Sequence, residues 1–497
     1  MNQSIWAKEE QKVMYPSNTA NRNIEIAVIG GGLTGILTAY LLQQQGRQVE
    51  VFEAETVGSG MTQNTTAKIT SQHRLIYDRL ISQFGLEKAR EYASRNEAAV
   101  SKYEELVNTQ NIDCDFKRES AYVYTTKEPV NIKNEVMAAK KCGINAYYTT
   151  STALPFEVTG AVCFQNQASF HPIKFLSALA DNLTINEKSR VLRMKKHQLE
   201  IVNKAADGQE KTYQVTAKYI IIATHYPVIN HPGYYFTRMH QERSYLIAVK
   251  RKDALPYGMY IGECDQDYSF RKYGSYVLIG GMGHRTGSGG DKDHYGELIK
   301  AAEKYYPGAK VEYKWSNQDC IAIDEVPYIG RFSKKYPDVF VATGFNKWGM
   351  SSSMVSAMMI CEAITEGKLQ EDSIFSTSRF MYQASKKNIK SNVRVTLKRL
   401  SLQTFLMPKG KLSELKPGEG KIIRCGLKKA GVYKDQDGKI YAVSTRCPHL
   451  GCMLEWNKEE KSWDCPCHGS RFDYKGKLLS NPSVKDLKPK DNKSNLE

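Results

Sequence analysis

The first strongly patterned stretch of the chain is residues 23–53, NIEIAVIGGGLTGILTAYLLQQQGRQVEVFE. Residues 24–29 are short and rich in β-branched side chains, as a strand buried in a parallel sheet should be. Apolar positions then recur at helical spacing from about Leu33 to Gln45, which predicts an amphipathic helix that Gly46 stops. A second strand over residues 49–52 ends at Glu53. Residues 75–109 and 295–304 read as long helices that serve as cap and core. Near the carboxy terminus, residues 431–444 (GVYKDQDGKIYAVS) form strand, turn and strand, with Asp437-Gly438 at the turn. The longest apolar stretch, residues 26–42, is interrupted by three successive glycines. A membrane span needs about 20 unbroken apolar residues, so none is expected.

Length and composition set the scale. At roughly 150 residues per domain, 497 residues suggest about three units, or one large domain with an appendage. Hydrophobic residues at 41% supply real cores, and charged residues at 25% describe an ordinary globular chain. The first 17 residues carry no apolar signal region and no small-residue cleavage site, so a cytoplasmic location is expected. The net charge of +17 is concentrated: residues 386–430 hold 13 Lys or Arg against two acids, Glu414 and Glu419. That segment lacks the aromatic interleaving of single-strand binders and any groove-reading motif, which argues against nucleic acid as a partner. It reads either as solvated surface and linker or as a docking patch for an acidic electron carrier. Of the eleven cysteines, Cys114, Cys142, Cys163, Cys264, Cys320, Cys361 and Cys425 are dispersed and read as small buried hydrophobes. The other four, Cys447, Cys452, Cys465 and Cys467, cluster with His449 and His468 and point to metal or redox chemistry.

Gly30, Gly32 and Gly35 form G-x-G-x-x-G between the first strand and its helix. Gly30 permits the tight turn, Gly32 lets the backbone approach a pyrophosphate, and Gly35 lets helix and strand pack closely. The helix begins with Leu33 and Thr34, and its free N–H groups and positive dipole end suit an anion. Glu53 can accept hydrogen bonds from a ribose hydroxyl, which favours an unphosphorylated adenosine ribose. These features predict a dinucleotide site, and by themselves leave NAD and FAD both open.

Five later segments carry a family resemblance. Residues 58–70 (GSGMTQNTTAKIT) resemble the segment after the second strand in the glycine/D-amino-acid oxidase family of flavoenzymes. Residues 219–224 (YIIIAT), 319–330 (DCIAIDEVPYIG) and 339–350 (VFVATGFNKWGM) resemble its later flavin-site elements, and residues 166–179 its substrate-domain entry helix. The resemblance covers about residues 23–380 and implies FAD. The implied FAD contacts are the glycine-loop residues above, Gly60, Met61, Thr65, Thr66, Ala67, Val191, Ala223, Thr224, Gly344, Gly349, Met350 and Ser351. A helix starting near Ser351 would then aim its positive end at the flavin's pyrimidine edge. A pyridine-nucleotide reductase should carry a second fingerprint, and the other glycine cluster, residues 279–290 (IGGMGHRTGSGG), does not fit one.

At the other end, RCPHLGC (446–452) and DCPCHGSRFD (464–473) give C-x-H-x-x-C, a gap, then C-x-C-H. Zinc can accept such donors, but the spacing resembles the Rieske 2Fe-2S family over about residues 412–487. In a Rieske centre two thiolates hold one iron and two imidazoles the other, which assigns Cys447 and Cys465 to one and His449 and His468 to the other. The resemblance further implies a Cys452–Cys467 disulfide, as in the subclass of cytochrome bc complexes, and a Ser470 hydroxyl bonded to a cluster sulfide. High-potential members carry a Tyr where this chain has Phe472, so one donor is missing and an intermediate potential is expected. Asn481-Pro482 begins the family's closing loop.

Together the two resemblances, to a bacterial family of Rieske-containing FAD-dependent oxidoreductases, imply an α/β (α+β) architecture of more than two domains. Residues 1–22 would be an extension, 23–380 a Rossmann-like FAD domain interleaved with a substrate domain, 381–411 a basic linker that lets the Rieske domain move, and 412–490 an all-β Rieske domain. The implied activity is oxidation of a small amine or amino acid at FAD. Electrons then pass singly through the cluster to an acceptor protein or quinone. The alternative is a non-catalytic electron-transfer or redox-sensing protein fed by a partner. An oxygenase would need a mononuclear iron held by two His and a carboxylate, and no compact set of that kind is present. With no membrane span, any membrane association is peripheral. Candidate chemistry residues are Arg271, as a substrate carboxylate partner or a surface ion pair, and His284 and His171, as catalytic or structural imidazoles. Lys347 and Trp348 are candidates for isoalloxazine contact. Lys68 is a candidate for stabilising reduced flavin, or a solvated lysine.

Overall fold

The computed structural model describes residues 3–8, 14–205, 207–229, 231–251, 257–264, 268–290, 292–368, 371–379, 412–425 and 428–490. The expected linker at 381–411 lies outside them, as does most of the basic segment.

The strand Arg22–Ile29 is the centre of an eight-stranded sheet. It runs parallel to Val49–Phe52 on one side and to Glu210–Ile222 on the other, with Ile26 opposite both Val49 and Tyr219. Tyr336–Thr343 continues the parallel run, and Tyr328–Ser333 closes that edge antiparallel. The helix Leu33–Gln44 crosses between the first two strands. It is not amphipathic as its spacing predicted: Thr34, Gly35, Thr38 and Tyr40 are buried together with its aliphatic residues. A second helix, Gly349–Thr365, packs along it and removes the face that would otherwise meet water. The Thr34 and Ser353 hydroxyls bond across this contact at 2.8 Å.

A nine-stranded sheet forms the second layer. Lys310–Ala322, Met239–Lys250, Tyr276–Arg285 and Ser269–Tyr273 follow one another antiparallel across it. Met259–Gly262, Lys117–Thr125 and Gly160–Ser169 complete its body. The stretch read as one helix over 75–109 is two, Tyr77–Phe84 and Leu86–Thr109, separated by Gly85 at φ +84°. The amino-terminal stretch reaches into the core: Trp6 is fully buried and its Nε1 donates to Thr65 O at 2.7 Å.

The carboxy-terminal unit is all β. Gly420–Cys425, Lys428–Lys434 and Ile440–Ser444 make a meander whose second turn holds Gly438 at φ +81°. Glu455–Asn457, Ser462–Asp464, Arg471–Asp473 and Leu478–Ser480 make the second sheet. No helix among the described residues is long and apolar enough to cross a membrane.

Candidate functional site

The glycine loop is built so tightly that side chains are excluded. A Cβ on Gly30, which sits at φ +108°, would lie 2.5 Å from Ala223 O, and one on Gly35 would lie 1.9 Å from Gly30 O. The helix Leu33–Gln44 has no side-chain cap, so its N-terminus is open to an anion. Its Leu33 N–H is held by Thr62 Oγ1 at 3.1 Å. Glu53 accepts the N–H groups of Gly31 at 2.7 Å and Glu55 at 2.8 Å. Burial pushes its carboxyl up and those two bonds pull against it.

These elements enclose a cavity of about 590 Å³. Gly30, Gly32, Leu33, Thr34, Glu53, Gly60, Met61, Thr65, Val191, Ala223, Thr224, Gly349 and Met350 line it. Gly35, Thr66, Ala67, Gly344 and Ser351 are not among the residues that line it. Ser351 Oγ meets His73 Nε2 at 2.9 Å, and the carbonyls of Thr66 and Ala67 accept from Arg271. Thr62, His225, Gln318, Asp319 and Phe345 also line the cavity without having been singled out in the sequence. Thr62 lies inside the 58–70 segment, whereas His225 and Gln318 carry no motif.

The chemistry candidates divide. Lys347 lines the cavity, and its Nζ pairs with Glu242 Oε2 at 2.9 Å. Trp348 stacks on His73 at 4.7 Å and leads into the helix Gly349–Thr365, whose N-terminus has no side-chain cap. Arg271 is buried, not at the surface, and donates to the carbonyls of Thr66, Ala67 and Phe170. Its guanidinium also lies 5.5 Å from the Trp6 ring. His284 bonds Tyr245 Oη at 3.1 Å and stacks on His294 at 4.7 Å. His171 caps the helix Pro172–Ala180. Lys68 is not solvated: Nζ donates to Tyr260 O at 2.8 Å and Ser269 Oγ at 2.6 Å. Burial first, and then Arg271, push its ammonium down to about 7. Asp319, pushed up to about 6 by burial, receives Asn317 Nδ2 at 3.1 Å.

The second centre is assembled from two loops. Cys447 and His449 follow the strand Ile440–Ser444, and Cys465 and His468 lie between Ser462–Asp464 and Arg471–Asp473. The Cys465 thiol is held low by its contact with Cys447 and by the backbone N–H groups of His468, Cys467 and Gly469. Such a cradle favours a thiolate. The rings of His449 and His468 stand 5.0 Å apart. Burial pushes His449 down to about 4, and burial with His449 and Arg285 pushes His468 to about 3, so both are neutral donors near pH 7. His468 Nδ1 is buried and has no hydrogen-bond partner among the described residues. A contacting pair of thiols and a neighbouring pair of neutral imidazoles, one of each from either loop, fit a 2Fe-2S cluster. Cys452 and Cys467 lie side by side with Cα atoms 6.5 Å apart. Ser470 Oγ accepts Ser483 N–H at 2.9 Å.

The two centres share a wall. Arg285 donates to Pro466 O at 3.1 Å and Cys467 O at 3.2 Å. Gln241 Nε2 donates to His468 O at 2.6 Å, and Gln318 Nε2 to Gly469 O at 2.9 Å. Asn481 Nδ2 donates back to Thr224 O at 2.6 Å and Tyr226 O at 2.9 Å. The ring of Phe236 lies 5.8 Å from that of His468. The glycine cluster that failed as a fingerprint serves this contact, because a Cβ on Gly287 would lie 2.7 Å from Pro466 N.

Comparison with known proteins agrees with both centres. The FAD dependent oxidoreductase family matches residues 25–363, and the Rieske [2Fe-2S] domain matches residues 406–490. The chain is 35% identical over 500 residues to the putative Rieske 2Fe-2S iron-sulfur protein YhfW of Bacillus subtilis (strain 168), covering 98% of this chain and 97% of that protein. It is 22% identical over 382 residues to gamma-glutamylputrescine oxidoreductase of Escherichia coli (strain K12), covering 70% and 86%. Over 79 residues it is 35% identical to the cytochrome b6-f complex iron-sulfur subunit of Chlorobaculum thiosulfatiphilum, covering 16% of this chain and 43% of that one. Among solved structures, L-proline dehydrogenase from P. horikoshii shares the fold at a TM-score of 0.60 and 19% identity, covering 72% of this chain and 98% of that one. FAD and a 2Fe-2S cluster are therefore this protein's cofactors. The chain belongs to the FAD dependent oxidoreductase family and carries a carboxy-terminal Rieske [2Fe-2S] domain.

Proposed function

We propose that the protein oxidises a small amine or amino acid at FAD and delivers the electrons through the Rieske cluster to an external acceptor, a protein or a quinone. The observation that carries this reading is the shared wall, where Thr224 lines the dinucleotide cavity and its carbonyl is held by Asn481 of the Rieske domain. Bound FAD takes two electrons together as hydride, and a 2Fe-2S cluster carries one at a time.

The chain's own residues prepare the site for that exchange. The open N-terminus of Gly349–Thr365 and the Lys347 ammonium put positive charge at one end of the cavity. Asp319 adds a carboxylate to the same wall, while Lys347 is already paired with Glu242. Asp319, which holds Asn317 Nδ2 and feels the charge of Lys347, is the carboxylate on this wall that a cationic amine would meet. The names of related proteins favour the same substrate class, since gamma-glutamylputrescine oxidoreductase, L-proline dehydrogenase and glycine oxidase all refer to amines or amino acids. Cys447 and Cys465 are the proposed thiolate ligands, His449 and His468 the imidazole ligands, and Cys452–Cys467 a disulfide that ties the two loops. We place the flavin and substrate domains within residues 23–380, the Rieske domain within 412–490, and the protein in the cytoplasm.

The test is anaerobic. Oxidised protein is mixed with a panel of N-methylated amines and amino acids while flavin absorbance and the EPR signal of the reduced cluster are followed. Bleaching by one compound, followed by growth of the cluster signal, is the expected result. A flavin that no small molecule reduces, but that a reduced carrier protein does, would replace this reading with an electron relay.

A further inference from the structure

The dinucleotide cavity is not made by the flavin domain alone. One side is the glycine loop with Glu53 and Val191, and the other is the strand Leu478–Ser480 with the residues that follow it to Val484. That second side belongs to the Rieske domain. Two of its residues have features the Rieske fold itself does not use. Leu479 leaves half its surface exposed, at 50%, and lines the cavity. Lys477 also lines the cavity, and among the described residues no ion pair involves its ammonium. An apolar side chain and a cation on one wall match a dinucleotide, which offers flat aromatic rings and an anionic pyrophosphate, and the Asp473 carboxylate on the same wall is engaged by the N–H groups of Lys475 and Lys477. Asn481 fixes this wall to the opposite domain through Thr224 O and Tyr226 O, so the wall cannot retreat without breaking those bonds.

We propose that residues 477–484 of the Rieske domain form part of the FAD site, so that FAD binding and docking of the Rieske domain stabilise each other. A ligand that touches both domains in the docked state binds that state more tightly than the undocked one, and the coupling is reciprocal. FAD then serves as a structural joint as well as the oxidant. The inference rests on the FAD site and not on the identity of the substrate, so it stands or falls separately from the proposed reaction.

The experiment uses the full chain, stripped of flavin with concentrated bromide and retitrated with FAD by fluorescence. Leu479→Ala removes a side chain that is exposed without FAD, so folding should be unaffected, and the EPR signal of the cluster reports that the Rieske domain is intact. The expected result is a Kd on the order of tenfold weaker than that of the unmodified chain. Hydrogen exchange on the unmodified chain gives an independent reading: residues 477–484 should gain protection when FAD is added back. A Kd within twofold for Leu479→Ala, or unchanged exchange over 477–484, would overturn the proposal.

Discussion

Phe472 is fully buried and packs in one cluster with Cys447, Cys452, Cys465 and Cys467. It sits two residues beyond Ser470, whose hydroxyl opposes part of the rise that the neighbouring Cys465 and burial impose on the Cys447 thiol. A phenol at this position would add a second donor, and donors near the cluster favour its reduced, more negative form. Phe472→Tyr is therefore expected to raise the midpoint potential. A bond strengthened by about 1 kcal/mol on reduction corresponds to roughly 40 mV for a one-electron couple. An EPR-monitored redox titration checks this, and an unchanged or lowered potential would show that the hydroxyl does not reach the cluster. A Rieske domain was legible in the sequence because its two Cys/His loops are marked by residue type and spacing. Arg271 was not, because a guanidinium's partners are decided by the fold. Here they are three backbone carbonyls and the Trp6 ring, all distant from it in sequence.

At the scale of elements, strand, glycine turn and helix were readable because each has a local cause. The sides of the helix were not. Leu33–Gln44 is apolar enough all round that spacing could not announce the second helix packed against it. The break at Gly85 was likewise hidden, since the residues on either side are good helix formers and only the left-handed backbone at that glycine separates them. Gly35 shows how little slack the dinucleotide loop has. An added methyl would come 1.9 Å from Gly30 O, which is backbone and cannot turn aside as a side chain could. Gly35→Ala should therefore displace the turn that lines the cavity. Overpacking of about 3 kcal/mol corresponds to roughly a hundredfold weaker FAD binding. Purified Gly35→Ala protein should lack the flavin absorbance while keeping the cluster's EPR signal. Full flavin occupancy in that variant would mean the helix can move without disturbing the site.

For the whole molecule, the decisive feature is a buried chain of charges across the domain contact. Arg243 reaches Glu460 at 3.2 Å, Glu460 lies 3.6 Å from Arg471, and Arg471 meets Asp464 at 3.0 Å. Burial alone would push both carboxyls up, but Arg243 and Arg471 outweigh it and hold Glu460 and Asp464 below the usual carboxylate range. The docked Rieske domain is held by this network together with backbone carbonyls bound by Arg285, Gln241 and Gln318. The contact was illegible in the sequence because its members are ordinary surface types until the two sheets meet. A carboxylate whose folded pKa is depressed stabilises the docked state fully above its unfolded value, about 4.3 for Glu. That stabilisation is lost as pH falls further through the folded value. The network's own contribution to thermal stability and to exchange protection around Glu460 and Asp464, read as the difference between the unmodified chain and a chain lacking the Glu460 carboxylate, should therefore hold from neutral pH down to about pH 4.3 and then fall. Glu460→Gln removes one carboxylate and leaves the buried Arg243 guanidinium facing a neutral amide, while Arg471 keeps Asp464, which should weaken docking by about 3 kcal/mol at pH 7. Its stability should also decline less steeply below pH 4.3 than that of the unmodified chain, because it has one fewer proton to take up. Identical acid profiles for the two proteins would mean that the network contributes nothing to docking, and that the other cross-domain bonds, those of Arg285, Gln241, Gln318, Asn481 and Glu459, hold the domains together without it.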